Sequence, residues 1–550
     1  MSANAGTGSR VLRAAAAAGL ALALAAGAQA ADRPGKAKPP ETPQLLEKGS
    51  VIYYKRCSFC HGLLGDGEGP AAEFLDPRPR DFTLGTYKFR TTESGKLPTD
   101  EDLFRTVSRG LPGTAMQAFD NEVIKNGLTE NERWAVIAYI KTFAREFKDP
   151  AFDPYKQVIA LPKNLPAMSE ATIAKGKEVF EHAKCWECHG KQGRGDGQKA
   201  FDRTDDWGFP IRIRNVTHPW KIKGGDTVED IYMRFTTGIN GTPMPSFVEG
   251  VKSEEARWNL AIYIKSLQHK LTEHQVLKPH RAEGEVPSAP EDAAWAKAQP
   301  MDMRLAGQVV APPRWQNPSV ELATVRAVAN DKEIAFLVQW DDPFKDAIHK
   351  EDQDFDPKDI AKVGAYNSYV DPYKMVPRKL ETFRDAVALQ FPVKLPEGTK
   401  RPHFLRGDAS NPVHLWVWKA DLEEQGKRSA EEAIARGWKQ PAKALPDKQQ
   451  LVSGKARWKE GRWSVVMKRA LVTADGSGVQ FVPGAFIPMS INVWDGSNGE
   501  HGLLMAVSTW HYVFLEAPTP MRVYGYTGFS VLLTGVLGFG LMRKAQRSES

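Results

Sequence analysis

Two short stretches decide the fold of this chain: Cys57-Ser58-Phe59-Cys60-His61-Gly62 and Cys185-Trp186-Glu187-Cys188-His189-Gly190. A C-x-x-C-H run is the covalent attachment signature for c-type haem. The two thiols add across the haem vinyl groups, and the spacing places the following imidazole under the iron. All four cysteines of the chain lie in these two stretches. The sequence therefore predicts two covalently bound haem c groups, held by Cys57, Cys60 and His61 and by Cys185, Cys188 and His189.

Each haem motif is followed by a methionine in a similar loop. The loops are Gly110-Leu111-Pro112-Gly113-Thr114-Ala115-Met116 and Gly238-Ile239-Asn240-Gly241-Thr242-Pro243-Met244. The histidine-to-methionine interval is the same in both copies, since 116 − 61 and 244 − 189 both equal 55. A lone methionine is more often a core filler. The matched loops favour Met116 and Met244 as second iron ligands.

Two other interpretations of the cysteine pairs are weaker. A thioredoxin-like C-x-x-C needs no following histidine and belongs before a helix in a βαβ setting. A four-thiolate zinc site would have to join two pairs that lie far apart in the chain.

The beginning of the chain indicates export. Residues 1–30 contain Arg10 and Arg13, then an apolar run, then the small-residue site Ala28-Gln29-Ala30. This is the pattern of a secretory signal peptide, with an uncleaved anchor as the alternative. Bacterial haem c attachment is completed outside the cytoplasm, which agrees with export.

The end of the chain indicates a membrane anchor. Residues 523–542 carry no charge, and a helix of that length crosses about 30 Å of hydrocarbon. Arg543 and Lys544 follow, as the positive-inside rule predicts for a cytoplasmic tail. A buried helix of a soluble protein is the alternative. The prediction is a protein on the periplasmic side of the inner membrane, held in the lipid bilayer by a C-terminal transmembrane helix.

Length and charge set broader limits. A chain of 550 residues is too long for one core and predicts several domains. The net charge of +7 is small for this length, and no dense basic cluster with interleaved aromatic residues occurs. We therefore predict no nucleic-acid partner.

Helical patterns repeat around the two haem motifs. Gly49 and Gly176 each precede an aromatic residue by one helical turn, which allows a second helix to cross closely. Residues 132–140 and 256–264 are the candidate crossing helices, because both place Trp and Tyr five apart among apolar residues. The sequence 129–132 is a plausible capping box.

This order of elements resembles the class I cytochrome c family. The resemblance covers residues 45–147 and 168–270 and implies a small all-α fold in each, with residues 31–44 as a linker. It implies axial iron ligation by His61 with Met116 and by His189 with Met244. Methionine ligation raises the reduction potential and leaves no open position for a substrate.

Basic residues recur between each motif and its methionine. They are Arg78, Arg80, Lys88, Arg90, Arg212, Arg214, Lys221 and Lys223. A guanidinium suits haem propionates. A solvated basic face that docks acidic partners is the alternative, and the sequence leaves both open.

The character of the chain changes after residue 267. Residues 268–300 are polar with scattered prolines and predict a linker. Two alternating runs around a turn at 330–332 predict a hairpin over 321–340. Strand-like segments follow at 386–391, 413–418, 463–467 and 491–494. Together they predict a mainly β, sandwich-like domain over residues 300–515.

These strands resemble the haem-binding γ subunit of the ethylbenzene dehydrogenase and dimethyl sulfide dehydrogenase type. The resemblance lies in Leu322-Ala323-Thr324-Val325-Arg326-Ala327, Gln339-Trp340-Asp341-Asp342-Pro343, Arg384-Asp385-Ala386-Val387-Ala388, Trp416-Val417-Trp418-Lys419-Ala420-Asp421 and Val493-Trp494-Asp495-Gly496. It implies one b-type haem between a methionine and a lysine, and a relay of electrons from catalytic molybdopterin and iron–sulfur subunits.

The chain departs from that family at the expected haem b ligands. No methionine occurs in 404–407, and no lysine occurs in 503–506. His403 and Met505 are the candidate substitute ligands, because both residue types ligate haem. The alternative is that the third haem has been lost, with His403 at the surface and Met505 in the core.

The resulting hypothesis is a multidomain protein with two all-α cytochrome c domains, one β domain and one transmembrane helix. It predicts a membrane-anchored periplasmic dihaem cytochrome, not itself an enzyme. It would relay electrons between a molybdopterin-type oxidoreductase complex and a soluble or membrane electron carrier. A cytochrome subunit of a terminal oxidase and a dihaem peroxidase are the alternatives.

Overall fold

The computed structural model describes residues 38–75, 77–163, 165–201, 203–209, 211–312, 314–315, 318–348, 382–397, 400–517 and 521–548. The described chain forms two compact units, which divide at Lys270 and Leu271. The predicted signal peptide and the first part of the predicted linker 31–44 lie outside the described residues.

The first unit is built from helices in a repeated order. They are α1 (Pro43–Arg56), α2 (Ser58–His61), α3 (Asp100–Arg109), α4 (Glu130–Ile140), α5 (Glu170–His182), α6 (Trp186–His189), α7 (Val228–Thr237) and α8 (Glu254–Ser266). Within the described part of residues 38–270, the chain forms isolated bridges such as Thr92 with Val158 but no strand. The α1–α4 set and the α5–α8 set are two copies of one arrangement.

The predicted helix crossings are confirmed. A Cβ atom built on Gly49 of α1 would lie 2.1 Å from the carbonyl oxygen of Ala135 on α4. A Cβ on Gly176 of α5 would lie 2.0 Å from the carbonyl oxygen of Asn259 on α8. Only a residue without a Cβ permits backbones this close, so each glycine fixes where the first helix of its domain crosses the last.

The predicted capping box at the start of α4 is also confirmed. Thr129 N–H donates to Glu132 Oε2 at 2.9 Å, and Glu132 N–H donates to Thr129 Oγ1 at 3.4 Å. These bonds satisfy two donors that a helix start leaves unpaired. They fix the start of the helix that crosses α1.

Over the residues that the structure describes, the second unit is a β domain with one short α-helix and one long terminal α-helix. Its strands are β1 (Val276–Leu277), β2 (His280–Arg281), β3 (Met301–Arg304), β4 (Ala306–Gly307), β5 (Leu322–Ala329), β6 (Glu333–Asp341), β7 (Ala386–Pro392), β8 (Val413–Lys419), β9 (Ala430–Ala435), β10 (Lys443–Ala444), β11 (Ser453–Trp458), β12 (Arg462–Ala470), β13 (Phe486–Trp494), β14 (Ala506–Val507) and β15 (His511–Phe514). Its helices are α9 (Ala420–Glu424) and α10 (Met521–Ser548).

The described strands form two sheets. One sheet has the order β1-β15-β13-β7-β8-β9-β10, with β14 and β4 added beside β13. The other has the order β11-β12-β6-β5-β2, with β3 also paired to β5. The predicted hairpin is the antiparallel pair β5 and β6.

The two sheets pack face to face through large aromatic side chains. The rings of Trp340 on β6 and Trp418 on β8 lie 6.3 Å apart, and those of Phe336 and Trp416 lie 5.9 Å apart. All four side chains are at most 1% exposed. The core therefore lies between the sheets, as expected for the predicted sandwich.

The segment 268–300 was expected to be a linker, and this expectation is wrong. Val276 and Leu277 pair in parallel with β15, and His280 and Arg281 pair in parallel with β5. The segment thus contributes one strand to each sheet. The strands could not be recognised in this polar segment, because each is only two residues long and lies at the edge of a sheet.

The terminal helix α10 contains the predicted membrane span. Residues Gly525–Arg543 have a mean hydropathy of 1.4, and none of this window is buried within the described structure. Their length and composition suit a membrane crossing.

Candidate haem-binding sites

Each C-x-x-C-H motif forms one helical turn that brings its first and last residues together. His61 N–H donates to Cys57 O at 2.9 Å, and His189 N–H donates to Cys185 O at the same distance. Gly62 and Gly190 end the two turns with φ near +76°. At Gly62 an L side chain would be strained and would also meet Asp66.

The two histidines present the same nitrogen for metal binding. His61 Nδ1 lies 2.9 Å from Arg80 O, and His189 Nδ1 lies 3.0 Å from Arg214 O. A carbonyl only accepts a hydrogen bond, so the ring proton is on Nδ1. Nε2 is then the lone-pair donor, the arrangement usual for metal-bound histidine. Burial lowers the pKa of both rings, which favours the neutral form that binds a metal.

The cysteines lack the features of reactive or zinc-binding thiols. All four are half-buried and form no disulfide. Burial raises the pKa of Cys57 to about 12 and that of Cys185 to about 11. Redox-active C-x-x-C thiols have a lowered pKa. These thiols therefore suit covalent attachment better than thioredoxin-like exchange.

The two methionine loops have the same internal bonds. Met116 O accepts from Leu111 N–H at 2.8 Å, and Met244 O accepts from Ile239 N–H at 3.0 Å. Met116 N–H donates to Thr114 Oγ1, and the equivalent bond joins Met244 to Thr242. Both methionines are half-buried and pack against the core of their own domain. The loops thus present two equivalent thioethers.

The residues predicted for haem c fit that group. All eight residues are half-buried: Cys57, Cys60, His61, Met116, Cys185, Cys188, His189 and Met244. The donor set is thioether-forming thiols, a neutral imidazole and a thioether sulfur, as haem c requires.

The residues predicted for haem b have different surroundings. Met505 is 0% exposed inside an apolar cluster that includes Leu405 and Trp494. His403 is exposed, and its Nδ1 accepts from Leu405 N–H at 3.1 Å. Met505 shows no accessible face, so the pair does not form a ready haem site, and a third haem stays a prediction.

A contact between the two helical domains was not foreseen from the sequence. Arg90 is 0% exposed, and its Nη2 donates to Thr237 O at 2.7 Å, directly before the second methionine loop. Arg234 on α7 donates from Nη2 to Arg90 O at 2.9 Å. Of the two interpretations left open for the basic residues, the solvated basic face is wrong for Arg90. Its side chain joins the first domain to the base of the loop that carries Met244.

The buried arginines hold positive charge without direct carboxylate partners. Burial lowers the pKa of Arg90 and of Arg234 to about 10, so both remain charged at neutral pH. The Arg90 guanidinium donates its hydrogen bonds to backbone carbonyl oxygens. Arg234 is 9% exposed, and its Nε and Nη1 have no hydrogen-bond partner. A group of this kind attracts an anion.

At the same interface, the guanidinium groups of two more arginines of the first domain stack on aromatic rings of the second domain. The guanidinium of Arg80 lies 4.2 Å from the Trp207 ring centroid, and that of Arg78 lies 5.0 Å from the Phe209 ring centroid. The Arg80 carbonyl is also the acceptor for His61. The loop that orients the first histidine therefore contacts the second domain directly.

Comparison with protein families agrees with the domains predicted in both units. The cytochrome c family model matches residues 46–144 and 173–268. The ethylbenzene dehydrogenase family model matches residues 292–445 and 430–505. The chain therefore carries two tandem domains of the cytochrome c family and one domain of the ethylbenzene dehydrogenase family.

Individual relatives cover part of the chain. A putative respiratory nitrate reductase haem subunit of Haloferax mediterranei is 25% identical over 42% of this chain and 70% of its own length. The CcoP subunit of cbb3-type cytochrome c oxidase from Helicobacter pylori is 24% identical over 38% of this chain, which spans 60% of that relative. A chain of the reducing HAO-like protein complex of Kuenenia stuttgartiensis is 43% identical over 42% of this chain and 100% of its own, with a TM-score of 0.38.

Replacing Cys185 and Cys188 together by alanine is expected to halve the haem c content, from two groups per chain to one, because only the second attachment motif is lost. A pyridine haemochrome assay with intact-mass analysis measures this. A Met505→Leu variant serves as the control and should keep both haem c groups. If the haem c content of the double variant were unchanged, the assigned attachment site would be wrong. If b-type haem were present and lost only in Met505→Leu, a third haem bound by Met505 would be established.

Proposed function

We propose that this protein is the membrane-anchored, periplasmic electron-transfer subunit of a larger oxidoreductase complex. The observation that carries the proposal is the pair of equivalent Cys-x-x-Cys-His and methionine sites within one compact unit. The apolar helix α10 supports anchoring, and the basic residues after Met542 support a cytoplasmic tail. Membership of the cytochrome c family supports electron transfer as the role.

The haem groups supply one-electron redox chemistry, and the chain controls their environment. His61 and His189 are oriented through Nδ1 by backbone carbonyls, so ring rotation is restricted. Met116 and Met244 would supply the second protein ligand of each iron, which would leave no open position for a substrate or peroxide. On this basis the protein transfers electrons and leaves catalysis to a partner.

The arginine contact supports electron exchange between the two domains. Arg90 and Arg234 fix the base of the second methionine loop against the first domain. Their charge, and the unpartnered N–H groups of Arg234, suit the propionates of a bound haem. The contact would keep the two haem groups at one fixed separation.

Replacing Arg90 by glutamine is expected to lower the midpoint potential of at least one haem. A nearby positive charge favours the reduced state, and each ~1.4 kcal/mol of lost interaction corresponds to about 60 mV for a one-electron couple. Redox titration followed by visible absorption measures the shift. Arg145→Gln is the matched control, because the Arg145 side chain is 96% exposed. Equal potentials in the wild type and both variants would exclude an electrostatic role for Arg90.

The proposed partner is a molybdopterin-type catalytic subunit with an iron–sulfur subunit. Support comes from the ethylbenzene dehydrogenase domain over residues 292–505 and from the relative named as a nitrate reductase haem subunit. The β domain would dock that complex. A soluble or membrane-bound carrier would exchange electrons with the cytochrome domains.

Purification of the full-length protein in mild detergent tests the partner directly. We expect molybdenum- and iron–sulfur-containing subunits to co-purify, and reduction of the partner to reduce both haem groups.

The relative named as an oxidase subunit favours a second candidate, a cytochrome subunit of a terminal oxidase. Recovery with a haem–copper oxidase and without molybdenum would support that candidate. A high-spin, ligand-exchangeable iron in the reduced protein would instead favour a dihaem peroxidase.

A further inference from the structure

Three buried aspartates meet at one end of the β sandwich. Asp342 follows β6, Asp385 precedes β7, and Asp495 follows β13. One carboxylate oxygen from each lies within 4.8 Å of the others. Their exposures are 0%, 0% and 2%. Because β6 belongs to one sheet and β7 and β13 belong to the other, the cluster joins the two sheets.

Neutral donors hold these carboxylates in place. Asp385 accepts from Gly496 N–H and Trp463 Nε1 at 2.9 Å each, and from Asp346 N–H at 2.7 Å. Asp495 Oδ1 accepts from Ser497 Oγ at 2.6 Å. Such bonds fix the orientation of the carboxylates but bring no positive charge.

The arginine that precedes Asp385 in sequence and the arginine paired across the sheet with Asp341 both bind other carboxylates. Arg384 Nη1 lies 3.0 Å from Asp421 Oδ2, and Arg462 Nε lies 2.8 Å from Asp341 Oδ1. Among the described residues, no lysine, arginine or histidine forms an ion pair with Asp342, Asp385 or Asp495. Buried carboxylates without a compensating cation are strongly unfavourable.

Two carboxylate oxygens at the cluster are unsatisfied. Asp342 Oδ1 accepts from Phe344 N–H at 3.1 Å, whereas Asp342 Oδ2 is sealed from solvent and has no hydrogen-bond partner. Asp346 Oδ2 is likewise sealed and unpartnered. A fully buried side chain with a bare carboxylate oxygen beside two further carboxylates marks the place of a cation.

We infer that Asp342, Asp385 and Asp495 bind one calcium ion, with Asp346 beside them as a supporting outer carboxylate, and that the ion holds the two sheets together. Calcium accepts carboxylate oxygens at about 2.3–2.6 Å, so two ligands on opposite sides of it lie up to about 5 Å apart. The three carboxylates of the cluster are close enough together to contact one such ion. Magnesium prefers shorter bonds and retains several waters, which a closed cluster of carboxylates does not favour.

The full-length protein, purified in detergent with both haem groups, provides the test. Elemental analysis should give one calcium for every two haem irons. EGTA should lower the unfolding temperature of the β domain, and added calcium but not magnesium should restore it. Asp342→Asn should abolish both the bound calcium and the response to EGTA. Asp302→Asn is the control, because Asp302 is 1% exposed but lies outside the cluster, and it should retain calcium.

Asp346→Asn keeps the inference testable if Asp342→Asn does not fold, because Asp346 is only half-buried. We expect calcium affinity to fall by about 10- to 100-fold, the range typical of lost supporting ligands, with unchanged haem spectra. A wild-type protein without stoichiometric calcium would overturn the inference. So would an equal response to magnesium, or full calcium retention in both cluster variants.

Discussion

Replacing Met116 or Met244 by alanine is expected to lower the midpoint potential of one haem and to leave covalent haem content at two per chain. Attachment depends on the cysteines, whereas the methionine sulfur stabilises the reduced iron. We expect a fall on the order of 0.1 V, a fraction of the roughly 0.8 V over which axial ligands set haem potentials. Each variant should also lose the ferric absorption band of methionine ligation from one of two haem groups. Redox titration and absorption or magnetic circular dichroism spectra measure both effects.

Met168→Ala is the matched control for these variants. Met168 lies between the two domains and is 48% exposed, so its removal should change neither the potentials nor the spectra. If Met116→Ala and Met244→Ala both kept the wild-type potentials, the ligand assignment would be wrong. If one of them changed and the other did not, the unaffected domain would use another ligand.

Gly49→Ala and Gly176→Ala are expected to have the largest effects on stability. The added Cβ would lie 2.1 Å from Ala135 O in the first case and 2.0 Å from Asn259 O in the second. Neither contact is to a side chain that can rotate away, so the helices must separate. We expect a loss of about 3 kcal/mol or more in the free energy of unfolding, at the upper end of overpacking effects. Chemical denaturation followed by haem absorption measures it.

Gly250→Ala supplies the control for the glycine variants. Its Cβ would meet only the Phe247 ring at 3.6 Å, an ordinary contact. The same change there should be neutral or stabilise by a few tenths of a kcal/mol, because alanine restricts the unfolded chain. Destabilisation of all three variants by equal amounts would show that the close helix crossing is not the cause.

Local patterns in the sequence were sufficient to predict the helix crossings and the capping box of the helical unit. The C-x-x-C-H motifs, the matched methionine loops and the Gly-aromatic spacing each describe residues within one helix or loop. The structure reproduces the crossing at Gly49 and the capping box at Thr129 because these features depend on nearby residues and on one backbone contact. The hairpin β5–β6 was predictable for the same reason.

Features that depend on distant residues were not predictable. Arg90 reads as a surface cation in the sequence, and only the packing of two domains makes it 0% exposed. Asp342, Asp385 and Asp495 lie in three separate stretches of the sequence. They form a cluster because the end of β6, the start of β7 and the end of β13 lie at the same edge of the sandwich. Single-sequence patterns carry no information about which strand ends meet.

The helix crossing at Gly49 has a consequence for how haem is acquired. The crossing joins the first helix of the domain to the last, and both cysteines of the motif lie between them in the chain. In the exported protein proposed above, a chain that crosses the membrane N-terminus first would expose Cys57 and Cys60 before α4 has arrived. The domain would stay open during this interval, so an attachment enzyme could reach the thiols before the domain folds around the haem. The second domain would repeat the same sequence of events, and maturation would then be sequential along the chain.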